Sequence, residues 1–415
     1  ADEVDDVQVT NGLFSVDLDF GNIFDGTALW LEIDVRPGSS TSTYTTLSPL
    51  QAVNPTPYAL YARNIPLAGN GSATTAARSD HSHQWSNVVV VAKGGGDYTS
   101  VQAAINDITD ASEDNPYLVW VAPGEYEESV TMKPYVHLQG AGQETTVISS
   151  TVSNAISQPI VNATLVLTRH VTLRDLEIIN TGDDTRSIAL RIPEDTLDVH
   201  VSDVKVAAVG NSEESNVAIL VDGGKAILRA VTARSENAEG NASLHNSDGG
   251  VVSLEDCYLY AWGGDIAYGI YNTGTGTVLV SKNTDVEGIN ATTGNIGLYN
   301  RSGATAVLEG GSFIGMGSSD PVTGIYCTGS STLEAKNIYT EGRGSLTSNG
   351  VRNENASVNI SHSDIYGEGH AVNIPGSGTT YISFSTILEQ KGLYNGTYAC
   401  TAVIWDNDFF AETCP

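Results

Sequence analysis

Alternation of apolar and polar residues opens the chain. Phe14, Val16, Leu18 and Phe20 alternate with Ser15, Asp17 and Asp19, and Leu29, Leu31, Ile33 and Val35 do so with Trp30, Glu32 and Asp34. A period of two over such runs predicts half-buried strands. Pro37-Gly38-Ser39-Ser40 reads as a turn, and Tyr44 to Val53 as a third strand. Three strands are thin cover for an independent β-domain. Residues 1–60 are therefore expected to lean on the rest of the chain or on a neighbouring molecule. Asn54-Pro55-Thr56-Pro57 breaks the pattern, and the small polar stretch from Gly69 to His83 marks 61–86 as a linker. From Val88 the pattern changes. Val88 to Val91 reads as a buried strand. Thr99 to Ile108 reads as a short amphipathic helix, with Val101, Ala104, Ile105 and Ile108 on one face and Thr99 and Gln102 at capping-box spacing. Leu118 to Val121, Val136 to Leu138 and Thr146 to Ile148 follow as strands.

Beyond residue 185 a phrase recurs. Its apolar anchors are Ile219, Leu244, Ile270, Leu298, Ile325, Val351, Val372 and Leu393, at steps of roughly 21–28 residues. Each phrase is followed, after a short turn, by a second apolar strand such as Val252-Ser253-Leu254 or Val278-Leu279-Val280. Strands at this period with Gly, Asn and Ser turns predict a parallel β-helix over 87–415, with a C-terminal cap. The signature of a leucine-rich repeat is missing, and the steps are too short for propeller blades. Stacked coils turn equivalent positions into columns about 4.8 Å apart. One expected column is His245, Tyr271, Tyr299, Tyr326, Arg352, Asn373 and Tyr394. The next is an Asn ladder of Asn246, Asn272, Asn300, Asn353 and Asn395, with Cys327 and Ile374 in place of Asn.

Composition narrows the function. Lys and Arg total 19 against 49 Asp and Glu, a net charge of −30 over 415 residues. That balance excludes nucleic acid as a partner and opposes docking on anionic membranes. No apolar run reaches the roughly 18–20 residues of a membrane helix, so no membrane insertion is expected. The start at Ala1, without a basic or apolar leader, reads as a processed end. Cys400 and Cys414 close a short loop and read as a disulfide formed in an oxidising compartment, with free thiols as the alternative. Cys257 and Cys327 lie several coils apart and are expected to be unpaired. Sequons at Asn70, Asn162, Asn241, Asn290, Asn300, Asn355, Asn359 and Asn395 are candidate glycosylation sites, if the source glycosylates.

The phrases after residue 87 resemble a known family. Gly96-Asp97-Tyr98-Thr99-Ser100-Val101-Gln102-Ala103-Ala104-Ile105 is similar to the entry segment of pectinesterase and pectate-lyase-like proteins. Val121-Ala122-Pro123-Gly124-Glu125-Tyr126, Val136-His137-Leu138-Gln139-Gly140-Ala141-Gly142 and Val171-Thr172-Leu173-Arg174-Asp175-Leu176 continue the likeness. It implies an all-β fold, a right-handed parallel β-helix with a short N-terminal capping helix. The family's chemistry is not matched. Paired carboxylates and oxyanion-holding Gln side chains serve a pectinesterase. Its Gln-Ala-Val-Ala-Leu phrase aligns with Arg186-Ser187-Ile188-Ala189-Leu190, so Arg186 replaces Gln. The polygalacturonase and pectate-lyase phrases are missing as well; Gly182-Asp183-Asp184 stands by itself. Asn11-Gly12-Leu13-Phe14, Trp30-Leu31-Glu32-Ile33 and Pro55-Thr56-Pro57-Tyr58 resemble a β-module of large bacterial secreted surface proteins. In those proteins further strands precede the first phrase. Strand addition from a neighbouring molecule would complete such a module.

Candidate sites each carry a plainer alternative. Asp80, His81 and His83 are metal-ligating residue types, but in a linker and without a recognised ligand spacing. Asp183, Asp184, Glu194 and Asp195 could hold Ca²⁺ through carboxylates, or simply face solvent. Glu255 and Asp256 are an adjacent acidic pair of the type used in acid/base work, but directly after a strand they read as a solvated turn. The tyrosine column Tyr271, Tyr299, Tyr326 and Tyr394 could stack on sugars, or only stabilise the solenoid. No cofactor is expected. The chain is therefore expected to be a secreted or surface-exposed structural protein, non-enzymatic, forming an extracellular fibre or rod-like adhesin by end-to-end self-association. The alternative is a polysaccharide-binding or polysaccharide-cleaving protein with an atypical site.

Overall fold

The computed structural model describes residues 87–155, 161–318 and 320–388, with shorter stretches within 7–52 and 393–411. The chain divides into two compact units, Ala1–Gln84 and Trp85–Pro415. In the first, Trp30–Leu31 pairs antiparallel with Gln51–Ala52, and Asp34–Val35 with Thr45–Thr46. The sequence turn closes this hairpin, with the Ser40 amide donating to the Pro37 carbonyl at 2.8 Å. Alternation holds as far as Ile33: Leu31 and Ile33 are half-buried and Trp30 is 62% exposed, but Val35 is exposed as well. Most of the expected strand Phe14–Phe20, and all of the Asp80, His81 and His83 cluster, lie outside the described residues.

The second unit is a right-handed parallel β-solenoid of about ten coils. Each regular coil carries three strands, named here by face. Face A includes Arg186–Ile192, Ser215–Asp222, Gly240–Ser247, Ile266–Thr273, Gly294–Arg301, Val322–Thr328 and Asn349–Glu354. Face B includes Lys225–Arg229, Val251–Glu255, Val278–Lys282, Thr305–Glu309 and Thr332–Lys336. Face C includes Thr232–Glu236, Tyr258–Trp262, Asp285–Ile289, Ser312–Met316 and Tyr339–Arg343. The anchors read from the sequence pair in the expected order. Ile219 opposes Leu244, and Ile270, Leu298, Ile325, Val351, Val372 and Leu393 follow in register. From Ile219 to Val372 each of these anchors is fully buried, so one inward apolar column runs the length of face A.

The Asn ladder forms at the corner from A to B. Asn246 Nδ2 donates to Asn272 Oδ1 at 2.9 Å, and Asn272 Nδ2 to Asn300 Oδ1 at 2.8 Å. Each amide also donates to a backbone carbonyl one coil on: Val278, Thr305 and Thr332 respectively. The ladder thus satisfies carbonyls that the bend would otherwise strand. Asn246 Oδ1 has no partner, because the preceding coil offers Val221, which has no donor. Cys327 interrupts the ladder further on. It is free and fully buried, and burial pushes its thiol up to about 12. Cys257 is likewise free and buried. Cys414 and the side chain of Cys400 lie outside the described residues.

Faces B and C meet at a left-handed residue in each coil, followed by a second, Gly311, in one of them. Ala230, Asp256, Asn283, Gly310, Asn337, His362 and Phe384 all have φ between 48° and 72°. Just before this turn, Arg229, Glu255, Lys282, Glu309 and Lys336 stand in register on consecutive coils. The column alternates in sign without a break, and Arg229 Nη2 meets Glu255 Oε2 at 2.6 Å. Glu255 is thus a member of this ladder, and Asp256 is the corner residue.

In the coils from Gly269 to Gly350, faces A and C converge so closely that a Cβ would clash. Gly269, Gly297, Gly324 and Gly350 on face A look across at Gly288, Gly315 and Gly342 on face C. A Cβ on Gly297 would lie 2.6 Å from the Gly324 carbonyl oxygen and 2.7 Å from the Ile314 nitrogen.

The capping helix, Val101–Asp107, buries Val101, Ala104 and Ile105. Its cap differs from the expected one. Ser100, not Thr99, takes the N-cap position, its Oγ accepting from the Ala103 amide at 3.2 Å. The Glu128 carboxylate accepts from the Val101 and Gln102 amides and from the Ser100 hydroxyl, at 2.7, 2.9 and 2.7 Å. Gln102 is freed from the cap and bonds the Thr131 backbone instead. Among the described residues no helix is long and apolar enough to cross a membrane.

Two substitutions test this packing. Cys327→Asn should make the ladder continuous from Asn246 to Asn353 and raise stability by about 0.5–1.5 kcal/mol, read as the urea midpoint. A lower midpoint would show that the thiol is there for fit. Gly297→Ala should cost about 1–3 kcal/mol, and an unchanged midpoint would deny the close approach of A and C.

Candidate functional site

Residues that face outward on A form a continuous aromatic strip. The sequence column holds: His245 opposes Tyr271, Tyr271 opposes Tyr299, and Tyr299 opposes Tyr326. Their rings touch. Tyr299 and Tyr326 stack at 4.9 Å, Tyr271 meets Tyr299 edge-on at 5.5 Å, and His245 meets Tyr271 edge-on at 4.8 Å. Tyr394 continues the backbone column opposite Asn373, and its side chain lies outside the described residues.

Tyr268 joins this strip from off the column. Pairing skips Gly269, as it skips the equivalent position of the neighbouring coils, and this kink leaves both Tyr268 and Tyr271 half-buried. Tyr268 stacks on Tyr299 at 5.6 Å with planes 10° apart. Burial pushes the Tyr268 phenol up to about 12, and burial with the Glu354 hydrogen bond holds Tyr326 higher still. Both therefore remain neutral hydroxyls in physiological conditions. Beneath one end of the strip lies a second apolar cluster, separate from the main core. It comprises Ala163, Ile188, Val217, Leu220 and Ala242, with Tyr268 and Tyr271 packed on it.

Charged groups border the rings. The Arg301 guanidinium lies 5.5 Å from the Tyr299 centroid and donates to the Tyr271 hydroxyl at 3.3 Å. Arg352 lies 4.9 Å from the Tyr326 centroid and 3.6 Å from Glu354, which also accepts from the Tyr326 hydroxyl at 2.6 Å. At the other end, a cavity of about 450 Å³ is lined by Asp222, His245, Ser247, Asp248 and Tyr271 among others. Asp222 is paired with Arg191 at 2.8 Å. Burial pushes the His245 imidazole down to about 4, only partly opposed by Asp248 and Asp222, so it is neutral near pH 7. Arg301, Glu354 and Asp222 escaped the sequence reading. Their signal was present: Arg301 and Glu354 stand two residues after column positions, and Asp222 two after Leu220, which pairs with His245.

Other candidates disperse. Asp183 and Asp184 precede the strand Arg186–Ile192, while Glu194 and Asp195 follow it. Seven residues at ~3.3 Å each put the two pairs roughly 20 Å apart, too far for a shared cation. All four are exposed. Among the described residues no group of three His, Cys, Asp or Glu side chains converges as a metal site requires. Arg186, at the pectinesterase Gln position, is held in an ion pair by Glu214. Of the sequons, Asn241 and Asn300 are fully buried and hydrogen-bonded. Neither can carry a glycan without breaking its corner. Asn162, Asn290, Asn355 and Asn359 are exposed. Asn70 and Asn395 lie outside the described residues.

Comparison with known proteins agrees with this architecture. The family model named Pectinesterase matches residues 87–229, and a domain of unknown function matches residues 1–50. Probable pectinesterase 49 of Arabidopsis thaliana is 32% identical over 118 residues, which is 26% of this chain and 32% of that protein. The chain thus spans about a third of that relative's length. The Dettilon tailspike protein superposes with a TM-score of 0.50 at 11% identity, covering 73% of this chain and 62% of that one. The A-module of mannuronan C-5 epimerase AlgE4 from Azotobacter vinelandii gives 0.48 at 18% identity, covering 74% and 93%. Pectin methylesterase from carrot gives 0.33 at 16% identity, covering 77% and 85%. At such identities the structural likeness concerns the fold alone. The chain thus has the parallel β-helix fold and, over residues 87–229, is similar to the pectinesterase family.

Proposed function

We propose that this is a surface or secreted protein that binds polysaccharide along face A without cleaving it. The observation that carries the reading is the strip Tyr271–Tyr299–Tyr326 with Tyr268 beside it. Aromatic rings pack against the C–H groups of sugars, and phenol hydroxyls can also hydrogen-bond them. Rings repeated at the coil spacing suit a repetitive ligand. The match of residues 87–229 to the pectinesterase model supports a polysaccharide-related role. Non-enzymatic action is supported by Arg186 and its Glu214 partner at a position where that family uses Gln. Extracellular placement follows from such a ligand.

A second reading, assembly into fibres, has its own observation. The hairpin of residues 30–52 leaves Trp30, Tyr44, Leu47 and Leu50 exposed. Two paired strands by themselves fall short of a stable β-unit. Strand addition from a second copy would cover them.

Each reading has a test. Tyr299→Ala removes the ring that three others touch. Affinity for a bound polysaccharide should fall about tenfold, near 1.4 kcal/mol, with the circular dichroism spectrum unchanged. Unaltered affinity would move the binding site off face A, and release of shortened or modified sugar would refute binding without cleavage. For assembly, deleting residues 1–60 should abolish fibres seen by electron microscopy and leave the solenoid folded. Fibres formed by the truncated protein would discard this second reading.

A further inference from the structure

We infer that the polysaccharide bound along face A is an uncharged one, recognised by carboxylates and phenols rather than by free cations. This rests on the reading that face A binds glycan, and adds the chemical class.

The cations of face A are already engaged. Arg186 is paired with Glu214, Arg191 with Asp222 and Arg352 with Glu354. Arg301 is taken up by the Tyr271 hydroxyl and the Tyr299 ring. Arg191 is also largely covered, with its side chain 15% exposed. A polyuronate carries a carboxylate on each sugar and would have to displace these partners one by one. Every displacement would leave a protein carboxylate or phenol without its cation, at a cost comparable to what the new ion pair would supply.

The cavity at the end of the strip points the same way. Asp222 and Asp248 line it, and its imidazole, His245, is held neutral by burial and so gives no cation at pH 7. The net charge of −30 adds a long-range field against polyanions. Sugar hydroxyls suit this lining. A carboxylate accepts from vicinal hydroxyls in charge-assisted bonds. The neutral Tyr268 phenol and the His245 imidazole can donate to hydroxyl and ring oxygens. The apolar cluster under Tyr268 and Tyr271 keeps the platform dry and fixed.

The test is a comparison of polymer classes with the full chain. Affinity electrophoresis or calorimetry would compare neutral glucans, mannans and xylans with polygalacturonate and alginate, at about 0.05 M and about 0.5 M NaCl. The expected result is binding to a neutral polymer at least tenfold tighter than to either polyuronate, changing less than about twofold with salt. Tight polyuronate binding that weakens as salt rises would overturn this inference and leave the face A reading standing. Binding to neither class would overturn the face A reading itself. Asp248→Asn keeps a residue that tolerates φ of 54°. It should weaken neutral-polymer binding several-fold and narrow the gap to polyuronates. If neither Asp248→Asn nor Tyr299→Ala changed neutral-polymer binding, the ligand would lie elsewhere and the inference would fall.

Discussion

A parallel coil places every residue against its own equivalent in the coils before and after it. That one constraint organises the solenoid. An inward leucine must tolerate another apolar residue at the strand spacing above and below, which yields the unbroken face A column from Ile219 to Val372. Where the equivalent residue is an amide, donor meets acceptor, and Asn246, Asn272 and Asn300 link side to side while holding the bend. Where it is an aromatic ring, a strip results. The same rule explains the weak points. A ladder must start somewhere, and Asn246 Oδ1 is left without a partner where Val221 precedes it.

Site and scaffold are therefore hard to separate. Tyr271, Tyr299 and Tyr326 brace one coil against the next and also present the outer surface of face A. Their partners Arg301, Arg352 and Glu354 hold the rings in place and set the charge beside them. Tyr268 joins this border at the kink beside Gly269, where the strand pairing skips a residue. The same glycine lets face A approach face C, so the packing of the interior and the pattern on the exterior share one residue.

Much of this was legible in the sequence, and the remainder was hidden for physical reasons. Period and anchor residues fix the register of parallel coils because a slip of one residue would turn apolar anchors to water. Hence the columns of tyrosine and asparagine could be written from spacing. Tyr268 could not, since it stands three residues before Tyr271, across a kink where the alternation of inward and outward residues breaks. Glu128 as the helix cap was equally opaque: it lies 28 residues from Ser100 and meets the helix only after a full turn of chain. Thr99 looked the better cap locally, and a long-range carboxylate decided the matter. The four carboxylates around Arg186–Ile192 looked like a cluster in the sequence because short separations along the chain hide the length of an intervening strand. The sequons at Asn241 and Asn300 mislead in the opposite way, as the corner uses the very amide nitrogen that a glycan would need.

The alternating column Arg229, Glu255, Lys282, Glu309 and Lys336 bears on how such a chain can change its length. Loss of the single coil that carries Glu255 would set Arg229 against Lys282, and insertion of a copied coil would set like against like at the joint. Loss of two neighbouring coils would instead bring Arg229 opposite Glu309 and keep the alternation. Parity is thereby written into the surface: in this stretch, evolution by duplication or deletion meets less electrostatic resistance in even steps than in odd ones.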